Sequence, residues 1–247
     1  MTTAVTAIVP CMTNGDRPFI GEAVRSVLEQ TEPCDVIVIV ETSNDWIEEI
    51  LAGTSEVRIL RLPMSPPGPT RNAAVAAAKT EFVAFLDADD AWLPTKTAKQ
   101  LAFLRIHNAD FVGVDHILMR EDGIVFAYGT AKFVPMPSAW MVRRDYMLRF
   151  PFGNAGSDSP KTEDGTWWTD PQNTTIKHRI AEPLIKYRVR NVSQSSKRTI
   201  KRRKLRFAKL SRIPFARPLL LIGSYIVHQI NRRTYYVPHF RTLRPRP

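Results

Sequence analysis

Cysteine is almost missing from this chain: Cys11 and Cys34 are the two in 247 residues. Two thiols cannot build a disulfide framework, so disulfide-stapled secreted scaffolds are excluded and free thiols in a reducing compartment are expected. A membrane-spanning run is missing too. Residues 214–230 are apolar in the middle but carry Arg217, His228 and Gln229, and they fall short of the roughly 20 apolar residues a spanning helix needs. The N-terminus lacks a basic stretch and a cleavage pattern, so residues 4–10 are expected to form a first strand and not a signal peptide. His107, His116 and His178 lack ligand-like spacing and are read as structural or surface residues. Internal repeats and low-complexity tracts are absent, and acidic residues stop at Glu182.

That last absence divides the chain. The net charge is +11, from 35 Lys and Arg against 24 Asp and Glu. Eighteen of the basic residues follow Glu182, which leaves 17 against 24 before it: an acidic body of net −7 carries a strongly basic tail. Such a tail is expected to meet an anionic surface. The length suits one core plus an appendage. The expected division is a body over 1–195, in halves 1–107 and 108–195, and a tail over 196–247.

Strand-like and helix-like pieces alternate in the first half. Residues 5–9, 36–40 and 82–86 are short apolar runs read as strands, and residues 57–62 are read as the third strand in chain order. Between them, residues 19–30 place Ile20, Ala23, Val24, Val27 and Leu28 on one helical face. Ser43 or Asn44 is expected to cap a short helix through Leu51, Pro69 to open a helix through Ala78, and residues 94–107 to form another. This alternation predicts a parallel α/β sheet with right-handed crossovers. From Asp110 the pieces turn irregular, with strands at 110–119 and 123–128 around Glu121-Asp122-Gly123 and a returning strand at 183–189.

The run Phe82-Val83-Ala84-Phe85-Leu86 ends in Asp87-Ala88-Asp89-Asp90. Ligands of open α/β sheets bind beyond the carboxyl ends of strands, and alternate residues of extended chain point the same way. Asp87 and Asp89 therefore form a candidate hard-oxygen site for Mg²⁺ or Mn²⁺ carrying a phosphorylated ligand, with a solvated acidic turn as the plain alternative. Asp90 is expected to cap the following helix.

Further pieces follow in order: Ile8-Val9-Pro10 through Ser26-Val27-Leu28-Glu29-Gln30-Thr31; Arg71-Asn72 before Ala78-Lys79-Thr80-Glu81-Phe82; Trp92 and Pro94 after the aspartates; Thr162-Glu163-Asp164 with Trp168; and Tyr187-Arg188 with Ser193 and Ser195. Over roughly residues 4–195 this series resembles the family-2 glycosyltransferases, inverting enzymes of the GT-A fold. The resemblance implies a doubly wound, mostly parallel sheet with flanking helices, extended here by a basic helical tail. It implies transfer of a sugar from a nucleotide-diphosphate-sugar donor to an acceptor hydroxyl, aided by Mn²⁺ or Mg²⁺. Asp89 is then the main metal ligand, with Asp87 supporting the metal or the ribose. Pro10, Glu41, Arg71, Asp87, Ala88 and Arg190 fall on the nucleotide side, although an exposed helix arginine is the plain reading of Arg71. Asp164 becomes the general base, and Glu163 shares the acceptor's hydrogen bonds or orients Asp164. Trp167 and Trp168 offer an acceptor platform; as helix neighbours they cannot both face it, so one belongs to the core. The chain departs from the family at Val40-Glu41, where two aspartates are usual, at Ala74 in place of glycine, and at Arg190 where histidine is common.

Two rivals remain. A nucleotidyltransferase on a similar fold usually has a glycine-rich basic first loop, whereas residues 11–17 hold one glycine and one arginine. A catalytically degenerate nucleotide- or anion-binding module is the other. In the tail, residues 197–212 hold nine Lys or Arg with apolar residues interleaved, followed by the apolar stretch at 214–230. An interfacial helix beside a polybasic segment on the inner face of a membrane is one expectation. An amphipathic helix that docks on the acidic body, or pairs two copies, is the other. Nucleic acid is disfavoured, because no recognition module accompanies the charge.

Overall fold

A computed structural model describes residues 3–129, 135–153, 163–191, 199–232 and 240–242. Four parallel strands form its first half: β1 (Val5–Cys11), β2 (Asp35–Glu41), β3 (Val57–Leu62) and β4 (Phe82–Phe85). Their β-branched and aromatic side chains are buried on both faces in β1, β2 and β4, as parallel strands covered by helices require. Chain order differs from sheet order. β2 and β3 lie on one side of β1 and β4 on the other, so the sheet reverses direction between β1 and β4, where open α/β sheets place ligands.

The intervening helices are α1 (Ile20–Leu28), α2 (Ile47–Ile50) and α3 (Pro67–Ala77). α1 buries Ile20, Ala23, Val24 and Val27, the face its spacing predicts. α3 begins at Pro67, two residues before the expected Pro69. Pro66 is extended, and both later prolines fall in the first turn, where a missing N–H costs nothing. α2 has no side-chain cap: Ser43 bonds Glu41 instead, and Asn44 accepts from the Trp46 indole at 3.3 Å.

Beyond β4 come the two-residue β5 (Ala91–Trp92), α4 (Lys96–His107), the hairpin β6 (Phe111–Met119) and β7 (Val125–Tyr128), β8 (Trp140–Arg143), α5 (Arg144–Arg149), α6 (Glu163–Thr169) and β9 (Lys177–Arg188). Antiparallel β8 joins β4 to β6, and β9 runs parallel to β6. The hairpin turns at Gly123, whose φ of 79° suits glycine. β9 starts six residues before the expected strand.

The tail forms α7 (Thr199–Leu210), α8 (Ala216–Asn231) and β10 (Phe240–Thr242), which pairs with β9. Residues 197 and 198 of the expected basic helix lie outside the described residues. α8 docks on the hairpin: the Ser224 hydroxyl accepts from Tyr128 N at 2.9 Å, and Arg217 donates to the Val125 carbonyl at 2.9 Å. Beneath it, the buried Asp115 carboxylate binds Arg179 at 2.5 Å and His228 at 2.8 Å.

Candidate active site

Asp87 ends the chain's run out of β4, at the reversal point of the sheet. Its backbone N–H donates to Ser138 Oγ at 3.0 Å, and Ser138 donates onward to Asp90 at 2.7 Å. Asp90 also accepts from Arg188 N at 2.9 Å. The expected helix cap is therefore corrected: Asp90 is buried and ties the turn to β9, while α4 starts after Thr95 with no side-chain cap. Burial first, then the charges of Asp89 and Asp87, push Asp90 well above the usual carboxylate range, against the pull of Arg188 N–H and Ser138.

Asp87 and Asp89 face different arginines. Arg71, on α3, donates to Asp87 at 2.6 Å and to Glu163 at 2.7 Å. Only 5% of its side chain is exposed, so it is neither a surface arginine nor open on all sides to a nucleotide. Close approach makes this bridge: a Cβ on Gly68 would lie 2.8 Å from the Gly153 carbonyl and 3.3 Å from Glu163 Cβ. Arg190 stands 3.0 Å from Asp89 and 3.1 Å from Asp16, and donates to the Gly15 carbonyl at 2.6 Å. Burial and then the charge of Asp87 raise the Asp89 pKa, with Arg190 opposing.

Asp164 occupies the first turn of α6 beside the tethered Glu163 and accepts from Gly165 N at 2.8 Å. The Tyr187 phenol is pushed far up, by burial first and then by Asp90, Asp89, Asp87 and Asp164 together. Thr162, Ser193 and Ser195 lie outside the described residues.

The remaining expected residues divide by position. Pro10 is next to last in β1 and Glu41 is last in β2, both at the carboxyl edge; Ala88 is buried within the aspartate turn. Glu41 accepts from Ser43 N at 2.9 Å, and hydrogen bonds from Ser43 hold its carboxyl below the usual range. Trp167 and Trp168 are corrected. Both are core residues, 2% and 4% exposed, because Phe111 and Trp140 pack against both rings. Neither forms an open platform.

Two site residues carry no sequence signal. Ser138 enters from before β8, 51 positions from Asp87. Asp16 lies in the first loop, and only its pairing with Arg190 marks it.

No group of three or more His, Cys, Asp or Glu side chains gathers for a metal among the described residues. Two neighbouring carboxylates nevertheless suit Mg²⁺ or Mn²⁺, which take most of their ligands from water and phosphate. Burial first and then the charge of Asp87 disfavour the ionised form of Asp89, and a bound cation would favour it.

The sequence matches the family model described as Glycosyl transferase family 2 over residues 6–155. It is 33% identical over 113 residues to TuaG of Bacillus subtilis (strain 168), a protein assigned by name to teichuronic acid biosynthesis as a glycosyltransferase. That match covers 43% of this chain and 45% of TuaG; the chain spans less than half the length of the curated relatives it matches first. Among solved structures, S. aureus TarS 1-349 in complex with UDP-GlcNAc aligns with a TM-score of 0.62 at 19% identity, covering 79% of this chain and 61% of that one. The mannosyltransferase PcManGT from Pyrobaculum calidifontis, in complex with GDP-Man and Mn²⁺, aligns at 0.59 and 19% identity, covering 92% and 69%. At such identities these neighbours show the fold, that of GT-A glycosyltransferases.

Proposed function

The chain belongs to glycosyl transferase family 2, and from that membership we propose that it is a metal-dependent, inverting glycosyltransferase using a nucleotide-diphosphate-sugar donor and an acceptor hydroxyl. The observation that supports this reading is the Arg71 bridge, which ties the aspartate turn to Glu163 at the start of α6, next to Asp164.

Asp89 and Asp87 would hold the Mn²⁺ or Mg²⁺. When bound, the ion supplies Lewis-acid compensation for the charge of the departing diphosphate. Arg190, between Asp89 and Asp16, adds a fixed cation at the same edge. Glu41 and Pro10 at the ends of β2 and β1, with Ala88, face the nucleoside. Asp164 takes the acceptor proton as the acceptor oxygen bonds to the anomeric carbon. The bond from that carbon to the diphosphate oxygen breaks on the opposite face, so configuration inverts. Glu163, pinned by Arg71, positions α6. Residues 1–107 hold the donor and 108–195 the acceptor. UDP-GlcNAc and GDP-Man, bound by the neighbours, are the first donors to try. Cys11 and Cys34 are free thiols, which fits the reducing cytoplasmic side of a membrane as the place of reaction.

The test is product analysis with a panel of nucleotide sugars and Mn²⁺, beside thermal unfolding with each nucleotide. A nucleotide at a hundred times its Kd adds about 2.7 kcal/mol of stability. No product, together with no metal-dependent stabilisation by any nucleotide, overturns the reading.

A further inference from the structure

α8 is amphipathic the wrong way round for a helix that serves only its own fold. Polar groups hold its inner side: Ser224 bonds β7, the buried His228 side chain meets Asp115, and the backbone carbonyl of the buried Asn231 accepts from Arg179. Its apolar residues face out. Phe215, Leu219, Ile222, Ile226 and Ile230 are 83%, 69%, 59%, 53% and 65% exposed. Their spacing of 4, 3, 4 and 4 puts all five within about 80° of arc at 3.6 residues per turn. Burying polar groups and exposing five large apolar ones is unfavourable for an isolated protein, each large apolar side chain forgoing roughly 1.5–3 kcal/mol of transfer.

The flanking charge selects the occupant. Arg202, Arg203, Arg206, Lys209 and Arg212 on and just after α7 are exposed, and no acidic residue follows Glu182. A second copy seated on this face would set those cations against their own equivalents, at a repulsive cost. Four of the five stripe residues are aliphatic and give nothing for bases to stack on, which single-stranded nucleic acid rewards. An anionic lipid surface satisfies both features, taking the apolar stripe at the acyl boundary and the cations at the headgroups. At 16 residues α8 is about 24 Å long, and among the described residues no helix is long and apolar enough to cross a membrane.

We infer that the outer face of α8, with the cations of α7 beside it, seats this protein on an anionic bilayer, lying in the interface plane. The surface stands whether or not the carboxylate site transfers sugar.

The experiment uses the full chain with vesicles of phosphatidylcholine alone or mixed with phosphatidylglycerol. Flotation with the mixed vesicles at low salt is expected, with release at high salt and little binding to neutral vesicles. Ile222→Glu and Ile226→Glu, on an exposed face, are expected to lower partitioning at least tenfold while leaving the circular dichroism and thermal midpoint unchanged. Removing one α7 cation is expected to lower it about fivefold, from about 1 kcal/mol per cation near an anionic leaflet. Phe215→Trp is expected to add fluorescence quenchable by brominated acyl chains. Absence of flotation at low salt overturns the inference. So does binding that survives both glutamate variants, or a dimer in sedimentation equilibrium that these variants dissolve.

Discussion

Arg71 Nη1 stands 2.7 Å from Glu163 Oε1, joining positions 92 residues apart in the chain. The other end of the same guanidinium holds Asp87 at 2.6 Å. One planar fork thus spans from the strand end that carries Asp87 to the helix that carries Asp164.

Lysine has one charged nitrogen and cannot hold both carboxylates in that geometry. Arg71→Lys is expected to retain one pair, and Arg71→Met to leave both carboxylates without their cation. Breaking a buried pair costs about 3–5 kcal/mol; Asp87 is one-third exposed, so solvent screening brings the expected loss nearer about 2 kcal/mol. Urea unfolding measures it. Nucleotide-sugar turnover should fall further than stability predicts, since α6 loses its anchor. A fully active Arg71→Met protein contradicts the bridge's role.

Asp164→Asn keeps the size and the hydrogen bond to Gly165 N but cannot take a proton. Loss of a positioned base is expected to lower kcat by about 10²–10⁴-fold. Nucleotide stabilisation, which the proposed function assigns to Asp87, Asp89 and Arg190, should persist. Turnover at the unsubstituted rate removes Asp164 from the chemistry.

Asp115 lies under α8, fully buried against Arg179 and His228. Burial works to raise its pKa, but hydrogen bonds from His228 and Arg179 outweigh it and hold the carboxyl below its usual range. For a depressed carboxylate the stabilisation is complete above the unfolded value near ~3.9 and is lost as pH falls through the folded value. Undocking of α8 is thus expected only in strong acid. Asp115→Asn leaves Arg179 buried without its countercharge at every pH, an expected loss of about 3–5 kcal/mol. Amide exchange in α8 at pH 7 should quicken in the variant; unchanged protection refutes the anchor.

β1, β2 and β4 were legible because parallel strands buried on both faces leave continuous apolar runs, and α1 because one face repeats at helical spacing. The start of β9 was not. Lys177, His178 and Arg179 look like a solvated segment, yet Lys177 donates to the Asn173 carbonyl at 2.8 Å and Arg179 pairs with Asp115. Asn173 lies four positions before Lys177 and Asp115 lies 64 before Arg179, and apolar periodicity registers neither. The same limit governs the site. Asp87 and Asp89 stand out because they abruptly end an apolar run. Ser138, Asp16 and the Arg71–Glu163 bridge depend on contacts 48 or more positions apart, beyond any local pattern. The tryptophan pair misled for a related reason: helix geometry separates adjacent side chains, but Phe111 and Trp140 pack against both rings and bury them together.

Lys96 supplies the sharpest pH test. It is fully buried, its ammonium has no hydrogen-bond partner among the described residues, and it sits 3.9 Å from the centre of the Trp92 ring. Burial lowers its pKa to about 7, while the ring face works weakly the other way. Between pH ~7 and ~10 the unfolded chain holds a proton here that the folded chain has lost, so stability rises with pH across that window. Below it both states are charged, and the folded state carries the full desolvation penalty. Lys96→Met keeps the length of the side chain and removes the charge. It is expected to be more stable than the parent at pH 6, by roughly 2–4 kcal/mol, and to lose that advantage by pH 10. Urea midpoints at pH 6 and pH 9 measure the difference. A parent-to-variant gap that is the same at both values means that Lys96 stays charged in the fold, held by the Trp92 ring more strongly than burial disfavours it.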